Sequence, residues 1–289
     1  MNRIIKTWRI IDIIKASEKV LKEKNITNPR LNAELLLAEA LNTKRINLYL
    51  NFEKPLGEGE IKLYKDKLKR RLDHEPLQYI LGHAEFYGLD FKVNKNVLIP
   101  RPETEILADK SVEVLTQFNS ANPRILEIGT GSGCISIAIA SKINCKIDAI
   151  DRSEEALEVA RGNSKANGTV SKINFVQKDL FTDFVDFNDY DLVVSNPPYI
   201  PIGEYGSLQN EIKDYEPKYA LTDGNDGLEF YRRIIALLRN TNTKTFALLE
   251  IGDGKRKNIE NILEQESTLK YRFHKDYLNI DRVVELEVN

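Results

Sequence analysis

Along the first eighty residues, apolar positions recur every three or four places, the spacing of a helix with one buried face. In WRIIDIIKASEKVLKEKN, Ile10, Ile13, Ile14, Val20 and Leu21 share one side. NPRLNAELLLAEAL follows, with Asn28 placed to cap it, Pro29 at the first helical position, and a stripe of Leu31, Leu35, Ala38 and Leu41. After the break KPLGEGE, Ile61, Tyr64, Leu68 and Leu72 repeat the pattern. These segments predict a small helical domain over residues 1–82.

The period then changes. EFYGLDFKVNKNVLIP (85–100) alternates through Leu89, Phe91 and Val93, with turn residues at Gly88 and Asn94–Asn96, and predicts a β-hairpin joining two domains over 83–100. From residue 101 a helix opens, and beyond 124 short apolar strands alternate with helices. The strand candidates are RILEIG (124–129), KIDAID (146–151), INFVQ (173–177), DLVVSN (191–196), TFALLEI (245–251), YRFHKDY (271–277) and RVVELEV (282–288). That order predicts an α/β domain over 101–289 built on a Rossmann-like, mainly parallel sheet of seven strands. The last two candidates are separated by only LNID, too short for a parallel crossover, so an antiparallel edge is expected.

Composition narrows the function. With 42% hydrophobic and 30% charged residues, the chain is globular, and a formal net charge of −2 disfavours wholesale binding to nucleic acid. Residues 1–80 nevertheless carry 17 Lys and Arg against 11 Asp and Glu. KLKRRL (67–72) is therefore either a solvated helix face or a surface for an acidic partner. Two cysteines, Cys134 and Cys145, and three scattered histidines match no metal or redox spacing. No apolar run approaches the ~20 residues that span a bilayer. MNRIIKTWRIIDIIK (1–15) continues as an amphipathic helix without a cleavage site, so a reducing cytoplasm is the simplest location.

Three motifs follow strands. LEIGTGSGC places Gly129, Thr130, Gly131, Ser132 and Gly133 in a strand-to-helix turn where a ligand can approach the backbone closely. The spacing is G-x-G-x-G, not the G-x-G-x-x-G of dinucleotide sites. Asp151 ends the next strand, where ribose-binding acids sit; its bland alternative is to cap SEEALEVARGN, a task Ser153 could also perform. Asp179 and Leu180 follow the third strand and could flank an adenine edge and face, and Asn196-Pro197-Pro198-Tyr199 follows the fourth. All lie at the carboxyl ends of strands, where open α/β sheets bind ligands.

The combination resembles class I S-adenosylmethionine-dependent methyltransferases that modify planar nitrogens. EPLQYILGHAEFYGLDFKVNKNVLIPRPETEIL (75–107), ILEIGTGSG (125–133), VVSNPPYI (193–200) and YEPKYALTDGNDGLEFYRRII (215–235) are similar to the peptide-chain release factor glutamine methyltransferases, and the likeness covers nearly the whole chain. It implies S-adenosyl-L-methionine at Gly129, Thr130, Gly131, Ser132, Gly133, Asp151, Asp179, Leu180 and Asn196. It also implies a class I release factor as protein substrate, methylated on the glutamine of its Gly-Gly-Gln motif, with no stable nucleic acid or membrane partner. Two departures stand out. Leu180 replaces a frequent aromatic, so an aliphatic contact must serve the adenine, and EIGDGKRK lacks a glutamine common in the family.

The quartet suits that chemistry. A glutamine amide nitrogen is a poor nucleophile, because its lone pair is delocalised into the carbonyl. Acceptors on its two N–H bonds would fix the plane and raise electron density on nitrogen. Asn196 offers a side-chain oxygen, and the resemblance implies the Pro197 carbonyl as the second acceptor. Pro197 and Pro198 lack N–H groups that would compete, and Tyr199 is expected to lie flat on the amide. Ribosomal-protein glutamine, DNA adenine and RNA guanine N-methyltransferases share the chemistry and stay open as alternatives. A dinucleotide dehydrogenase or nucleotide-binding module fits the glycine spacing poorly and has no use for Asn196.

Overall fold

The computed structural model describes residues 8–117, 120–266 and 268–288. The first seven residues of the expected amphipathic start lie outside these. The chain divides into two compact units, one of residues 1–82 with 210–215, the other of 83–209 with 216–289.

The smaller unit is helical: α1 (Ile10–Glu23), α2 (Pro29–Ala40), α3 (Arg45–Leu50), α4 (Glu58–Leu72) and α5 (Leu77–Leu81). Ile10, Ile13, Ile14 and Leu21 are buried as the period predicts, and Tyr64 anchors α4 in the same core. The expected α2 stripe is rotated. Ala33, Leu36, Leu37 and Ala38 are buried, whereas Leu31 is exposed and Leu35 only half-buried. The reason is that α2 buries a polar side as well. Glu34 takes Arg30, Arg45 and the Tyr49 hydroxyl, while Asn32 accepts from Arg71 at 2.7 Å.

Asn28 does occupy the capping position, but in a left-handed conformation with no side-chain cap; the Asn32 amide reaches back to the Thr27 and Asn28 carbonyls instead. KLKRRL is partly spent internally: Lys67 pairs with Glu39, Arg70 with Glu75, and buried Arg71 with Glu211 on the one-turn helix Asn210–Lys213.

The larger unit opens with a hairpin, β1 (His83–Phe86) and β2 (Leu89–Lys92). Its two-residue turn, Tyr87-Gly88, has positive φ at both places, as the twist of a tight hairpin requires. Phe86 and Phe91 are buried in the core of this unit, so the hairpin is built into it.

Seven strands form the main sheet: β3 (Arg124–Ile128), β4 (Lys146–Asp151), β5 (Ile173–Gln177), β6 (Leu192–Ser195), β7 (Phe246–Glu250), β8 (Leu269–Lys275) and β9 (Asp281–Val288), in the spatial order β5-β4-β3-β6-β7-β9-β8. The first five are parallel, and β9 runs antiparallel to both β7 and β8. Central strands are covered on both faces, which is why β6 is apolar up to Ser195 and wholly buried. Alternate residues serve opposite cores. Ile125, Leu192, Val194 and Leu248 pack on the side of α6 (Glu105–Thr116) and α7 (Cys134–Lys142). Leu126, Val193, Ala247 and Leu249 pack on the side of α9 (Glu229–Arg239) and α10 (Arg256–Leu263). The remaining long helix, α8 (Glu154–Ala166), follows β4. Chain order reverses between β3 and β6, and such switch points open a crevice at the carboxyl ends of the strands.

Candidate active site

A cleft of about 920 Å³, open to solvent, lies at that switch point. Gly129, Thr130, Gly131, Ser132, Asp151, Asp179, Leu180, Asn196 and Pro198 all line it, so residues spread over seventy positions of sequence converge on one space.

The glycine turn is held from beneath by β4. The amides of Gly129 and Thr130 donate to the Ile150 carbonyl at 2.8 and 3.1 Å, and the Gly131 amide donates to Asp151 at 2.9 Å. Gly129 and Gly131 have positive φ and open space where a Cβ would stand. Those three amides are spent on protein acceptors and do not form a cradle for phosphate. Ser153, not Asp151, caps α8, accepting from the Ala156 amide at 3.1 Å. Asp151 accepts from the Ser153 amide at 3.0 Å with its other oxygen, so two backbone bonds hold its carboxyl at the cleft wall, and burial raises it above the usual aspartate value. Leu180 is buried in the wall with Ile150 and Phe230, an apolar bed; Asp179 turns an oxygen back to the Phe181 amide.

Three expected residues stand outside the wall. Gly133 begins α7 with φ +80°, and a Cβ there would come within 3.1 Å of Ala160 and Ile137. Its lack of a side chain serves helix packing. Pro197 is buried. Tyr199 is wedged against the backbone of Gly252, where a Cβ would lie 2.9 Å from its ring, and Gly227 leaves room for its carbonyl. The ring packs on Gly252 and is not among the residues that line the cleft. Burial, reinforced by Glu250, holds its hydroxyl protonated far above neutrality.

Asn196 lines the cleft with its side-chain nitrogen donating to the Thr104 hydroxyl at 3.2 Å. Thr104 and Asn196 both oppose the effect of burial on the carboxyl of Glu250, the last residue of β7. Glu250 is buried, one of its oxygens has no partner, and burial pushes its pKa up to about 7. A second buried carboxyl, Glu127 on β3, receives the Thr130 hydroxyl at 2.6 Å and the Ser136 hydroxyl; burial lifts it to about 7 as well.

Sequence reasoning assigned no role to Thr104, Glu127, Glu250, Arg101, Tyr219 or Phe230. Some signal existed. PRPETE supplies Arg101 and Thr104, and YEPKYAL supplies Glu216 and Tyr219. Glu216 binds both the Arg101 guanidinium and the Ile99 amide, and the Tyr219 hydroxyl donates to the Asn96 carbonyl at 3.0 Å. The two distant stretches therefore form one outer wall, closed by Arg152 over the Tyr219 ring at 5.1 Å.

The wall suits an adenosyl group bearing a sulfonium: an acid at a strand end for ribose hydroxyls, an apolar bed for a base, and a glycine turn that asks for no phosphate.

Comparison with known proteins agrees. Residues 12–82 match the family described as the PrmC N-terminal domain, and residues 106–209 the methyltransferase small domain. The release factor glutamine methyltransferase of Chlorobaculum tepidum is 40% identical over 288 residues, covering 96% of each chain. That of Geobacter sulfurreducens is 36% identical over 279 residues, again covering 96% of each. Among solved structures, the hMettl16 catalytic domain in complex with a MAT2A 3'UTR hairpin is similar over 76% of this chain and 81% of its own. The TM-score is 0.55 at 19% identity, a likeness of fold alone. By the identity and reach of these matches, this chain belongs to the release factor glutamine methyltransferase family.

Proposed function

We propose that this protein transfers a methyl group from S-adenosylmethionine to the side-chain amide nitrogen of the glutamine in the Gly-Gly-Gln motif of class I peptide-chain release factors. The observation that carries this reading is Asn196. It stands in one cleft with the glycine turn and Asp151, and its amide nitrogen is already engaged by Thr104. Its side-chain oxygen is left for a donor such as an amide N–H.

Gly129, Thr130, Gly131, Ser132, Asp151, Asp179 and Leu180 would hold the methyl donor, which when bound supplies an electrophilic sulfonium methyl. The chain's own task is orientation. The Asn196 oxygen and the Pro197 carbonyl accept the two N–H bonds of the substrate amide, which turns its lone pair out of the plane of those bonds and enriches the nitrogen. Pro198 restrains Pro197, and Tyr199, packed on Gly252, fixes the turn. After transfer the nitrogen gives up a proton to water, so no histidine is required.

The helical unit, residues 1–82, grips the body of the protein substrate. No helix among the described residues is long and apolar enough to cross a membrane, and a substrate of the translation apparatus implies a cytoplasmic location.

The test is to incubate the protein with S-adenosylmethionine and a class I release factor and to map modified peptides by mass spectrometry. One added methyl on the Gly-Gly-Gln glutamine is expected. Transfer to a ribosomal protein or to nucleic acid alone overturns the reading.

A further inference from the structure

We propose that Tyr277 and Leu278, at the tip of the β8–β9 hairpin, dock an apolar patch of the protein substrate beside the cleft. This role rests on the functional reading above and adds a point of grip on the release factor in the unit that carries the cleft.

A single apolar side chain left on a protein surface is ordinary. Here two stand together: Tyr277 is 103% exposed and Leu278 79%, adjacent in the turn 276–280 between β8 and β9. They add nothing to the core, yet the turn that carries them is firmly tied. The Asp276 carboxylate accepts from the amides of Leu278 and Ile280 at 2.9 and 3.0 Å and from Arg282 Nε at 2.9 Å. The Asp276 amide donates to the Ile280 carbonyl at 2.8 Å, and the Asn279 amide to the Asp276 carbonyl at 2.9 Å. Asn279 takes a left-handed φ of +65°, which asparagine tolerates better than most residues. An apolar pair on a backbone already fixed loses less freedom on binding than one on a loose loop. Tyrosine adds a large contact surface on few rotatable bonds, which is why interfaces are rich in it.

The sheet decides what meets this tip. β6 and β7 are parallel, so both end at the rim where the cleft opens. β9 is antiparallel to β7 and begins at that rim, which places the turn before it on the same side. A short series of contacts joins the turn to the Asn-Pro-Pro-Tyr segment. Arg282, bound to Asp276, offers its carbonyl to the Ile251 amide at 2.8 Å, and the next residue, Gly252, packs on the Tyr199 ring. In the sheet, β9 stands two strands from β6, about 10 Å at the usual strand spacing. A protein partner covers about 800 Å² of its host, a disc of roughly 16 Å radius. A protein that presents a glutamine to Asn196 thus reaches the turn. S-adenosylmethionine does not, since neither Tyr277 nor Leu278 lines the cleft.

The experiment compares the parent full-length chain with the double variant Tyr277→Ala/Leu278→Ala and with Tyr277→Phe. It measures KM and kcat on a class I release factor, S-adenosylmethionine affinity by calorimetry, melting temperature, and mass by sedimentation. In the double variant KM should rise roughly tenfold, the loss expected of a truncated aromatic anchor, with kcat and donor affinity within about twofold of the parent. The melting temperature should hold, because the bonds of the turn come from its backbone, Asp276 and Arg282. Tyr277→Phe keeps the ring and should keep the parent KM.

An unchanged KM in the double variant overturns the proposal. So does a fall in kcat and donor affinity that parallels the rise in KM, because that marks damage to the cleft. A parent dimer that the double variant dissolves overturns it too, making the tip a contact between copies of this chain. A parent chain that fails to methylate the release factor refutes the functional reading, and the docking role falls with it. The failures are told apart because the others leave parent turnover intact.

Discussion

Glu127 and Glu250 sit near the carboxyl ends of β3 and β7, the two strands that flank β6 in the sheet. Both are buried, each has a carboxyl oxygen without a partner, and burial raises both to about 7. They differ in what surrounds them. Glu127 takes Thr130 and Ser136, three and nine residues along the same turn and helix, so it braces the glycine loop locally. Glu250 is influenced by Thr104 and Asn196, which come from two remote segments and bond each other at 3.2 Å, a neighbourhood that exists only in the tertiary fold. A desolvated carboxyl thus stands beside the glycine turn in one half of the site and beside Thr104 and Asn196 in the other. The teaching is that a buried acid at a strand end is defined by which segments the fold brings to it.

The largest separation of the two halves should come from Asn196→Ala. Removing the proposed acceptor is expected to lower kcat by two to three orders of magnitude, roughly the loss seen when one preorganised polar contact to a transition state is deleted. The fold should survive, because the residue is only half-buried. Near-normal turnover with an intact melting transition would remove Asn196 from the mechanism. The matching change on the other side, Glu127→Ala, leaves the Thr130 and Ser136 hydroxyls unpaired in the core and should cost about 1–3 kcal/mol of stability. It should show as weakened binding of S-adenosylmethionine, measured by calorimetry. Weaker release-factor binding with an unaltered donor site would blur the division.

Stability against pH gives the next effect. An unfolded glutamate titrates near 4.5, and these two titrate near 7 in the folded chain. Between those values the folded state holds protons that the unfolded state releases. Both residues therefore contribute stability that is complete below about 4.5 and is lost as pH rises to about 7, with a slope of about 1.4 kcal/mol per pH unit for each whole proton. Glu127→Gln and Glu250→Gln should each flatten the fall in melting temperature across that window, and the double variant more so. If either single variant keeps the parent slope, that carboxyl is not the titrating group.

The same contrast explains what the sequence could disclose. The glycine turn, Asp151 and Leu180 were legible because each follows its own strand within a few residues, so period and spacing alone place them at one rim. Asn196 was legible because two prolines mark the break. Thr104 and Glu250 were not, since their meaning arises from a meeting of residues 104, 196 and 250 that no local pattern encodes. Glu127 was hidden differently: an acid inside an apolar strand reads as an interruption until its hydroxyl partners are seen. The packing of Tyr199 was not legible, because nothing near it in sequence shows that Gly252 leaves space for its ring. The rotated face of α2 has a similar cause, since the partners of Glu34 and Asn32 include Arg45, Tyr49 and Arg71 on other helices.

The two glycines that stand behind these halves give the smallest and sharpest test. Gly133 has φ +80°, and a methyl group there would press on Ala160 and Ile137 at 3.1 Å. Gly133→Ala should combine left-handed backbone strain with overpacking and lower stability by about 1–3 kcal/mol. Its functional trace should be on the donor side, through the end of the glycine turn. Gly252 needs no left-handed backbone; its methyl group would press on the Tyr199 ring at 2.9 and 3.1 Å and on the Lys255 side chain at 3.3 Å. Gly252→Ala should therefore push the ring, tilt the Asn-Pro-Pro-Tyr turn and reduce transfer severalfold with a smaller change in melting temperature and little change in donor affinity. Thermal melts, calorimetry and turnover on the same two proteins decide the matter. If Gly252→Ala loses donor affinity as fast as it loses rate, Tyr199 is supporting the whole cleft, and the division into a donor side and an acceptor side does not hold at this residue.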